Sequence, residues 1–513
     1  MHKKVQQKNY QQWWGLEEAT RDLPEESGVG DWPIVPVPSV TGEGLDDLRE
    51  SLRDAAQAVE SRRQDDVFRM PVDRAFSIHG TGTVVTGTVW SGAVRSGETV
   101  RLLPGTASSR VRGLEVHGDP RGRVAAGRRC AVALVGVGAA DSARGTVLVT
   151  HPGWEPATRL GVRIDTLVRP GRPVEHSQRI RVYVGTREVM ARVATNAAST
   201  IKPGESGWAV LVLEEPLVAR VRDRGIVRFY SPVTTIGGIR VCEIDPPREW
   251  APRVEAWSAI LDGDGEAAFS AAVDLTGARG LDLAFAPIAL GLAPRAVEEA
   301  RDESDAVQLG DRCFSLGARE DTMHAVMDTV VRLHSADRRS AGVSLESVRS
   351  ALSDDRSPEL VRACLERHLE AGTLQASGPR VSVPGSGATL TDTERDQLEQ
   401  LRATLGEGGL QPPTVNDLGS SLRIERAVLD DLLRLLVEEG DARAVTPEIY
   451  MDGAAVDGAI VRVRAILANS APASPRVFKT EFGLSRKYLI PLLEYLDRSG
   501  VTRRVAEGRV LAN

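Results

Sequence analysis

Residues 68–97 constrain the fold of this chain more than any other stretch, because strand-forming residues and glycines alternate along them. The strand formers are β-branched or aromatic, and they are Phe76, Ile78, Val84, Val85 and Val89. The glycines supply turn, bulge and hairpin conformations that a side chain would penalise, and they are Gly80, Gly82, Gly87, Gly92 and Gly97. Consecutive antiparallel strands with such corners predict a small closed β-barrel.

The Gly-Thr-Gly at residues 80–82 could also belong to a phosphate-binding or dinucleotide-binding loop. Such loops precede a helix whose N-terminus faces the phosphate. Here a β-branched run follows Gly82 instead. We therefore interpret these glycines as corners of the barrel.

Bulk properties describe an ordinary soluble protein of several domains. The chain has 513 residues, of which 42% are hydrophobic and 26% charged, and this length predicts roughly three to five domains. No apolar run approaches a membrane span and no signal peptide is evident, so we expect a cytoplasmic protein without a membrane partner. The cysteines are widely separated, which predicts neither a disulfide framework nor a metal site; they are Cys130, Cys242, Cys313 and Cys364.

The segment DRAFSIHGTGTVVTGTVWSG at residues 73–92 resembles the second domain of translation GTPases of the elongation factor Tu superfamily. Within that superfamily, the segments at 110–137 and 228–238 are also similar to the selenocysteine-specific elongation factors. The resemblance runs from Ile34 to the C-terminus. It implies two antiparallel β-barrels, at residues 67–150 and 154–246, which correspond to translation-factor domains 2 and 3.

Residues 1–60 resemble the C-terminal part of a GTPase domain, with a helix at 13–26, a strand at 33–37 and a second helix that places Leu45, Leu48 and Leu52 on one face. The loop SVTGEGL between them is similar to a guanine-recognition loop, so Ser39 and Val40 are the candidate nucleotide-binding remnant. The sequence contains neither a G-x-x-x-x-G-K-[ST] phosphate loop nor Asn-Lys-x-Asp. We therefore expect no cofactor on this chain and no GTP hydrolysis by this chain alone. The resemblance implies that GTP and Mg²⁺ serve the intact factor. Whether this chain is an enzyme stays open.

After Pro246 and Pro247 the pattern changes to helices with short apolar strands. An apolar helix, a glycine and a short strand recur around glycines 372, 440 and 500, at intervals typical of winged-helix modules. A weaker copy lies at 283–316. We predict a multidomain fold in which a remnant of an α/β GTPase domain and two antiparallel β-barrels precede tandem winged helices, at 250–317, 318–385, 386–452 and 453–513. Such modules distinguish the selenocysteine-specific factors from elongation factor Tu.

The last module is the basic part of an acidic chain. Residues 461–513 carry ten Arg or Lys and four Asp or Glu, a net charge of +6, whereas the whole chain has −7. Ser485 is the expected N-cap of a helix with an apolar leucine stripe, and Pro491 is expected to kink that helix. Residues 502–505 and 509–511 are predicted to form a two-stranded wing, with Glu507-Gly508 at its tip.

A recognition helix and a wing are the two parts that such a module presents to nucleic acid. The resemblance implies that this module binds an mRNA hairpin, through phosphate contacts and an unstacked base. The candidate residues are Lys479, Arg486, Lys487, Tyr488, Arg503, Arg504 and Arg509. The alternative is a solvated basic face, with Tyr488 half-buried in its helix.

The resemblance also implies that the first barrel reads the selenocysteinyl end of its tRNA through Asp73, Arg74 and Arg129. A selenol ionises below neutral pH, so a pocket with arginines favours the selenolate over the hydroxyl of serine. The alternative is a surface ion pair between Asp73 and Arg74.

These features predict a monomeric selenocysteine-specific elongation factor that delivers selenocysteinyl-tRNA to the ribosome at UGA codons and binds the mRNA hairpin. The alternative function is a non-enzymatic RNA- or DNA-binding adaptor that keeps these modules without a GTPase. The two differ in one respect, because only the elongation factor should prefer selenocysteinyl-tRNA to other aminoacyl-tRNAs.

Overall fold

The computed structural model describes residues 34–37, 41–58, 64–80, 82–169, 171–196, 199–340, 342–386, 388–470 and 472–512. The chain divides into two compact units, Met1–Ala318 and Arg319–Asn513. The predicted helix at 13–26 and the candidate residues Ser39 and Val40 lie outside the described residues. Residues 34–37 have no strand, so the strand predicted there is wrong for that part.

A helix, α1 (Leu45–Ala58), follows the Gly42 turn as predicted. None of its residues is buried within the described part of the chain. The spacing of Leu45, Leu48 and Leu52 does place them on one side of the helix, but Leu45 is 39% and Leu52 60% exposed.

The first barrel is built from nine short strands. Six of them close a ring in the order β4-β9-β1-β2-β8-β5, with β5 pairing back to β4, while β6 extends β5 and β3 pairs with β7. The strands are β1 (Arg69–Ile78), β2 (Gly82–Thr88), β3 (Ala93–Arg95), β4 (Thr99–Leu103), β5 (Ala107–Val116), β6 (Asp119–Arg121), β7 (Arg123–Ala125), β8 (Arg129–Leu134) and β9 (Val147–Val149). Alternate residues face inward, as Cys130, Val132 and Leu134 of β8 illustrate.

The glycines of this barrel are at corners and close contacts, which confirms the prediction for this stretch. Gly80 and Gly82 have φ of 80° and 92°, a backbone region that disfavours side chains. A Cβ on Gly87 would lie 2.3 Å from the carbonyl oxygen of Pro71, so strand β2 approaches β1 too closely for any other residue. No helix follows Gly82, which removes the phosphate-loop interpretation.

The second barrel is closed and antiparallel. Its strands pair in the order β10-β13-β12-β11-β14-β15 and then back to β10. They are β10 (Ala157–Thr166), β11 (Arg179–Val184), β12 (Arg187–Thr195), β13 (Ser206–Leu217), β14 (Arg224–Phe229) and β15 (Thr235–Ile244). Aliphatic side chains from all six strands fill its interior.

A buried ion pair joins the two barrels. The guanidinium of Arg69 in β1 donates two hydrogen bonds to Asp223, at 2.5 and 2.7 Å, and both side chains are 7% exposed. The same guanidinium lies 5.0 Å from the ring centre of Trp90 and 4.9 Å from that of Trp154. The two barrels are therefore fixed by a desolvated charge pair between aromatic rings.

The first winged helix shares its core with the second barrel. Trp257 is fully buried, stacks on Trp250 with ring centres 5.2 Å apart, and packs against Gly161 of β10. Its hydrophobic cluster includes Val210 and Cys242 of the barrel. The module's elements are α2 (Val254–Asp262), α3 (Gly265–Thr276), β16 (Leu281–Asp282), α4 (Ala286–Leu290), α5 (Pro294–Glu303), β17 (Val307–Leu309) and β18 (Arg312–Phe314).

From Leu316 onward, the chain repeats three times the pattern of helices followed by a β-hairpin. One set is α6 (Leu316–Ala336), β19 (Val343–Ser344), α7 (Leu345–Leu352), α8 (Pro358–Glu370), β20 (Gln375–Ser377) and β21 (Arg380–Ser382). The next is α9 (Asp392–Gly408), α10 (Val415–Leu422), α11 (Arg426–Glu439), β22 (Ala442–Thr446) and β23 (Ile449–Asp452). The last is α12 (Gly453–Ser470), α13 (Pro475–Phe482), α14 (Arg486–Arg498), β24 (Thr502–Val505) and β25 (Gly508–Leu511).

Adjacent modules of this unit are joined by shared contacts. Val445 and Met451 of the β22–β23 hairpin lie in one hydrophobic cluster with Phe478 and Leu492 of the last module. The predicted division at 452/453 therefore passes through a continuous core. Further upstream, Glu394 of α9 accepts hydrogen bonds from Arg338 at 2.9 and 3.0 Å.

All four cysteines are free and buried, as expected of small core residues. In the part of the chain that the structure describes, no group of three or more His, Cys, Asp or Glu side chains could hold a metal ion. Nor does any described helix have the length and apolar character that a membrane crossing requires.

Candidate functional sites

Helix α14 forms as predicted, and its leucine stripe is buried. The stripe consists of Leu489, Leu492, Leu493 and Leu496. Ser485 is at the N-cap position in the extended conformation, as predicted. Its side chain makes no capping hydrogen bond, in contrast to the expectation for a serine at this position. Pro491 lies within the continuous helix.

The first turn of α14 presents two exposed cations, Arg486 and Lys487. The Lys487 ammonium lies 5.2 Å from the ring centre of Tyr488. Tyr488 is half-buried and packs against the core of the module, so its ring is only partly available to a base. Hydrogen bonds from Thr414 hold the pKa of Asp417 below its ordinary value, and the positive charge of Lys487 acts in the same direction.

The wing is the β-hairpin β24–β25, in which Val505 pairs with Gly508. Its turn therefore consists of Ala506 and Glu507, one residue earlier than predicted. Arg503 and Arg504 are both exposed, and because side chains alternate along a strand they point to opposite faces of the wing.

Arg509 does not belong to the exposed surface, and its assignment as an RNA-binding residue requires correction. Its side chain is 5% exposed and pairs with Asp497 at 2.9 Å. In the register of the wing, Arg509 lies opposite Arg504, on the face that is turned toward α14. A guanidinium buried in an ion pair is not available to a phosphate.

Lys479 is exposed on α13, together with Arg476. Residues three apart on a helix share a face, so this spacing could have identified Arg476 as a further cation. The two lie on a different helix from Arg486 and Lys487, and the candidate cations of the module therefore come from α13, α14 and the wing.

In the first barrel, Asp73 forms its ion pair with Arg129, whereas Arg74 acts on Asp73 only through its charge. Arg129 donates a bidentate pair of hydrogen bonds to the Asp73 carboxylate, one of them at 3.1 Å. Thr86 Oγ1 donates to the same carboxylate at 2.6 Å. A register shift in β1 between Val72 and Arg74 marks a bulge at Asp73. The alternative of a surface ion pair between Asp73 and Arg74 is therefore wrong, because the partner of Asp73 is Arg129.

Burial alone would raise the pKa of Asp73, but the hydrogen bonds from Arg129 and Thr86 outweigh it and hold this pKa below its ordinary value. The same pairing raises the pKa of Arg129. Arg74 is exposed beside this pair. Sequence reasoning missed Thr86, whose role depends on the register of β1 with β2.

Three family models match segments of the chain. Elongation factor Tu domain 2 matches residues 82–149, the beta-barrel domain of the selenocysteine-specific elongation factor matches 161–248, and the winged helix of elongation factor SelB matches 465–511. They correspond to the first barrel, the second barrel and the last winged helix.

Comparisons that cover most of this chain agree with these models. A selenocysteine-specific elongation factor of Desulfomicrobium baculatum is 30% identical over 488 residues, which cover 93% of this chain and 77% of that protein. A protein of the same name from Escherichia coli is 25% identical over 97% of this chain and 78% of its own length. The crystal structure of a bacterial selenocysteine-specific elongation factor shares the fold, with a TM-score of 0.64 and 23% identity over 97% of this chain and 78% of that chain. The chain belongs to the family of selenocysteine-specific elongation factors.

Proposed function

We propose that the first barrel of this chain binds the aminoacyl end of selenocysteinyl-tRNA and that its last winged helix binds an mRNA hairpin, so that the tRNA is delivered to the ribosome at a UGA codon. The observation that carries this proposal is the 30% identity to a selenocysteine-specific elongation factor over 93% of the chain. Delivery of this kind takes place in the cytoplasm, and one copy of the chain is sufficient for it.

The charges of the first barrel suit an anionic amino acid. Asp73 fixes the orientation of Arg129 through two hydrogen bonds, and Arg74 stays exposed beside the pair, so the three side chains together keep one net positive charge. A selenolate placed near these guanidinium groups would be stabilised, whereas the neutral hydroxyl of serine would gain less. Asp73, Arg74 and Arg129 are therefore the proposed residues of aminoacyl recognition, with Thr86 holding Asp73.

The cations of the last module suit a phosphate backbone. Lys479, Arg486, Lys487, Arg503 and Arg504 are exposed on its helices and wing. Arginine and lysine contacts to phosphates supply most of the affinity of such surfaces and make it depend on salt. Tyr488 is retained as a partial stacking residue.

GTP and Mg²⁺ belong to the proposed action of the intact factor, in which GTP hydrolysis times the release of the tRNA. The sequence holds no phosphate loop, and we assign no described residue to the nucleotide or the ion. Ser39 and Val40 remain the proposed remnant of a guanine-recognition loop.

The hairpin half of the proposal is tested with the double variant Arg486→Ala/Lys487→Ala. Its affinity for an RNA stem–loop should fall at least about tenfold, because two phosphate contacts are lost, while its affinity for selenocysteinyl-tRNA stays unchanged. Fluorescence anisotropy with each labelled RNA measures both. An unchanged stem–loop affinity would remove these two residues from the site, and stem–loop binding without any tRNA preference would favour the adaptor function.

A further inference from the structure

The carboxylate of Asp497 joins the C-terminal end of α14 to both strands of the wing. Its Oδ1 accepts hydrogen bonds from Thr502 Oγ1 at 2.6 Å and from Arg509 Nε at 3.1 Å. Its Oδ2 accepts a hydrogen bond from Arg509 Nε at 3.0 Å, and it lies 2.9 Å from Arg509 Nη2 in the ion pair. Thr502 belongs to β24 and Arg509 to β25, so one side chain holds both strands against the helix.

This cluster is shielded from solvent and has a second attachment through the backbone. Thr502 and Arg509 are buried, and the Asp497 side chain is 22% exposed. Ala473 N donates to Arg509 O at 3.0 Å, and Arg509 N donates to Ala473 O at 2.9 Å. Charge-assisted bonds of this kind are stronger and more directional than neutral ones, so the wing has little freedom to move relative to α14.

Helix α14 therefore separates two groups of exposed cations. Arg486 and Lys487 occupy its first turn, and Asp497 lies near its last residue. At 1.5 Å per residue, the two ends are about 16 Å apart along the helix axis. The phosphates of an RNA stem have fixed positions, so a stem that contacts both groups requires a fixed separation between them.

We infer that Asp497 is a positioning residue of the RNA-binding surface. It fixes the wing, and with it Arg503 and Arg504, at a set distance from Arg486 and Lys487. Asp497 does not contact the RNA in this arrangement. The inference rests on the proposed hairpin-binding function of this module.

Positioning and simple charge predict opposite effects for Asp497→Asn. The change removes a negative charge from a region of net charge +6, so nonspecific attraction to phosphates would strengthen. An asparagine, however, turns an N–H donor toward the guanidinium donors of Arg509 and keeps one acceptor oxygen. The wing would then lose its anchor, and positioning predicts weaker binding despite the gain in positive charge.

Glu507→Gln is the matched control for charge, because Glu507 is exposed in the turn of the wing and the substitution removes the same charge. Thr502→Val provides a milder test of the anchor. It keeps the shape of the side chain and removes the hydrogen bond to Asp497 Oδ1.

The experiment measures the affinity of the full chain for a fluorescein-labelled RNA stem–loop, transcribed from the region after the in-frame UGA codon of a selenoprotein gene in the source organism. Measurements at several salt concentrations give the number of phosphate contacts. Asp497→Asn should bind about tenfold more weakly with a shallower salt slope, Thr502→Val should shift less in the same direction, and Glu507→Gln should bind at least as tightly as wild type. Hydrogen exchange of residues 502–511 should accelerate in Asp497→Asn while α14 stays protected.

The outcomes separate this inference from the function on which it rests. If Arg486→Ala/Lys487→Ala weakens binding but Asp497→Asn binds as tightly as Glu507→Gln, the positioning role is wrong and the hairpin function stands. If the wild-type chain does not bind the stem–loop, both are wrong. If Asp497→Asn fails to fold, the Thr502→Val variant tests the inference in its place. The inference would be overturned if Thr502→Val had the RNA affinity of the wild type and the same hydrogen exchange rates in residues 502–511.

Discussion

A methyl group added at residue 161 tests whether the first winged helix is part of the second barrel's core. A Cβ on Gly161 would lie 2.8 Å from Cζ2 of Trp257 and 3.2 Å from Cβ of Glu243. The Trp257 ring has little room to move, because it is fully buried, stacks on Trp250, and donates a hydrogen bond from Nε1 to Glu243 at 2.6 Å. The backbone of β10 or the packing of α2 must shift instead.

Overpacking of this kind costs about 1–3 kcal/mol, and we expect Gly161→Ala to lower the free energy of unfolding by about 2 kcal/mol. Gly238→Ala in the neighbouring strand β15 is the matched control. The nearest heavy atom to a Cβ at that position is the carbonyl oxygen of Gly225, at 3.8 Å. Its cost should stay within about 0.5 kcal/mol.

Tryptophan fluorescence during urea unfolding measures this effect in the full chain. All eight tryptophans precede Ala318, so the signal reports on the unit Met1–Ala318 alone. With a urea m-value of a few kcal/mol/M, the midpoint of Gly161→Ala should fall by about 1 M. Equal midpoints for Gly161→Ala and wild type, or equal losses in the two variants, would refute the argument that Trp257 fills the space above Gly161.

Two charged positions give further predictions. Asp223→Asn should destabilise the same unit by about 3 kcal/mol or more, because it leaves the buried Arg69 guanidinium without its counter-charge; the fluorescence assay measures it, and a loss below about 1 kcal/mol would show that the pair is dispensable. Glu394→Gln should reduce the amount by which the free energy of unfolding decreases as the pH falls. Hydrogen bonds from Arg338 and from the backbone of Thr391 lower the pKa of Glu394, so its carboxylate stabilises the fold above the ordinary pKa of 4.5 and this contribution disappears as the pH falls. Circular dichroism during acid titration of both proteins checks this, and identical profiles would contradict it.

The fold could be predicted where local chemistry decides it. Gly80 and Gly82 need a backbone conformation that only glycine adopts readily, and the β-branched run after them excludes a helix. The buried leucine stripe of α14 follows in the same way from its spacing. These signals are contained within a few residues, so the sequence alone was sufficient.

The site residues were harder to predict because their partners are distant or depend on register. The partner of Asp73 is Arg129, 56 residues further along the chain, and not the adjacent Arg74. Arg509 resembles any wing cation in the sequence, but the pairing of β24 with β25 and the position of Asp497 turn it inward. Which face of a hairpin meets its helix is a tertiary property that composition and spacing do not encode.

We propose that this chain recognises the selenocysteinyl group of its tRNA. The most direct measurement compares the affinity of the full chain for selenocysteinyl-tRNA with its affinity for the same tRNA carrying serine, since the two ligands differ in one atom. We expect tighter binding of the selenocysteinyl form and a reduced preference in Arg74→Ala and Arg129→Ala, because these variants lose cations that stabilise a selenolate. Equal affinities of the wild-type chain for the two tRNAs would contradict it.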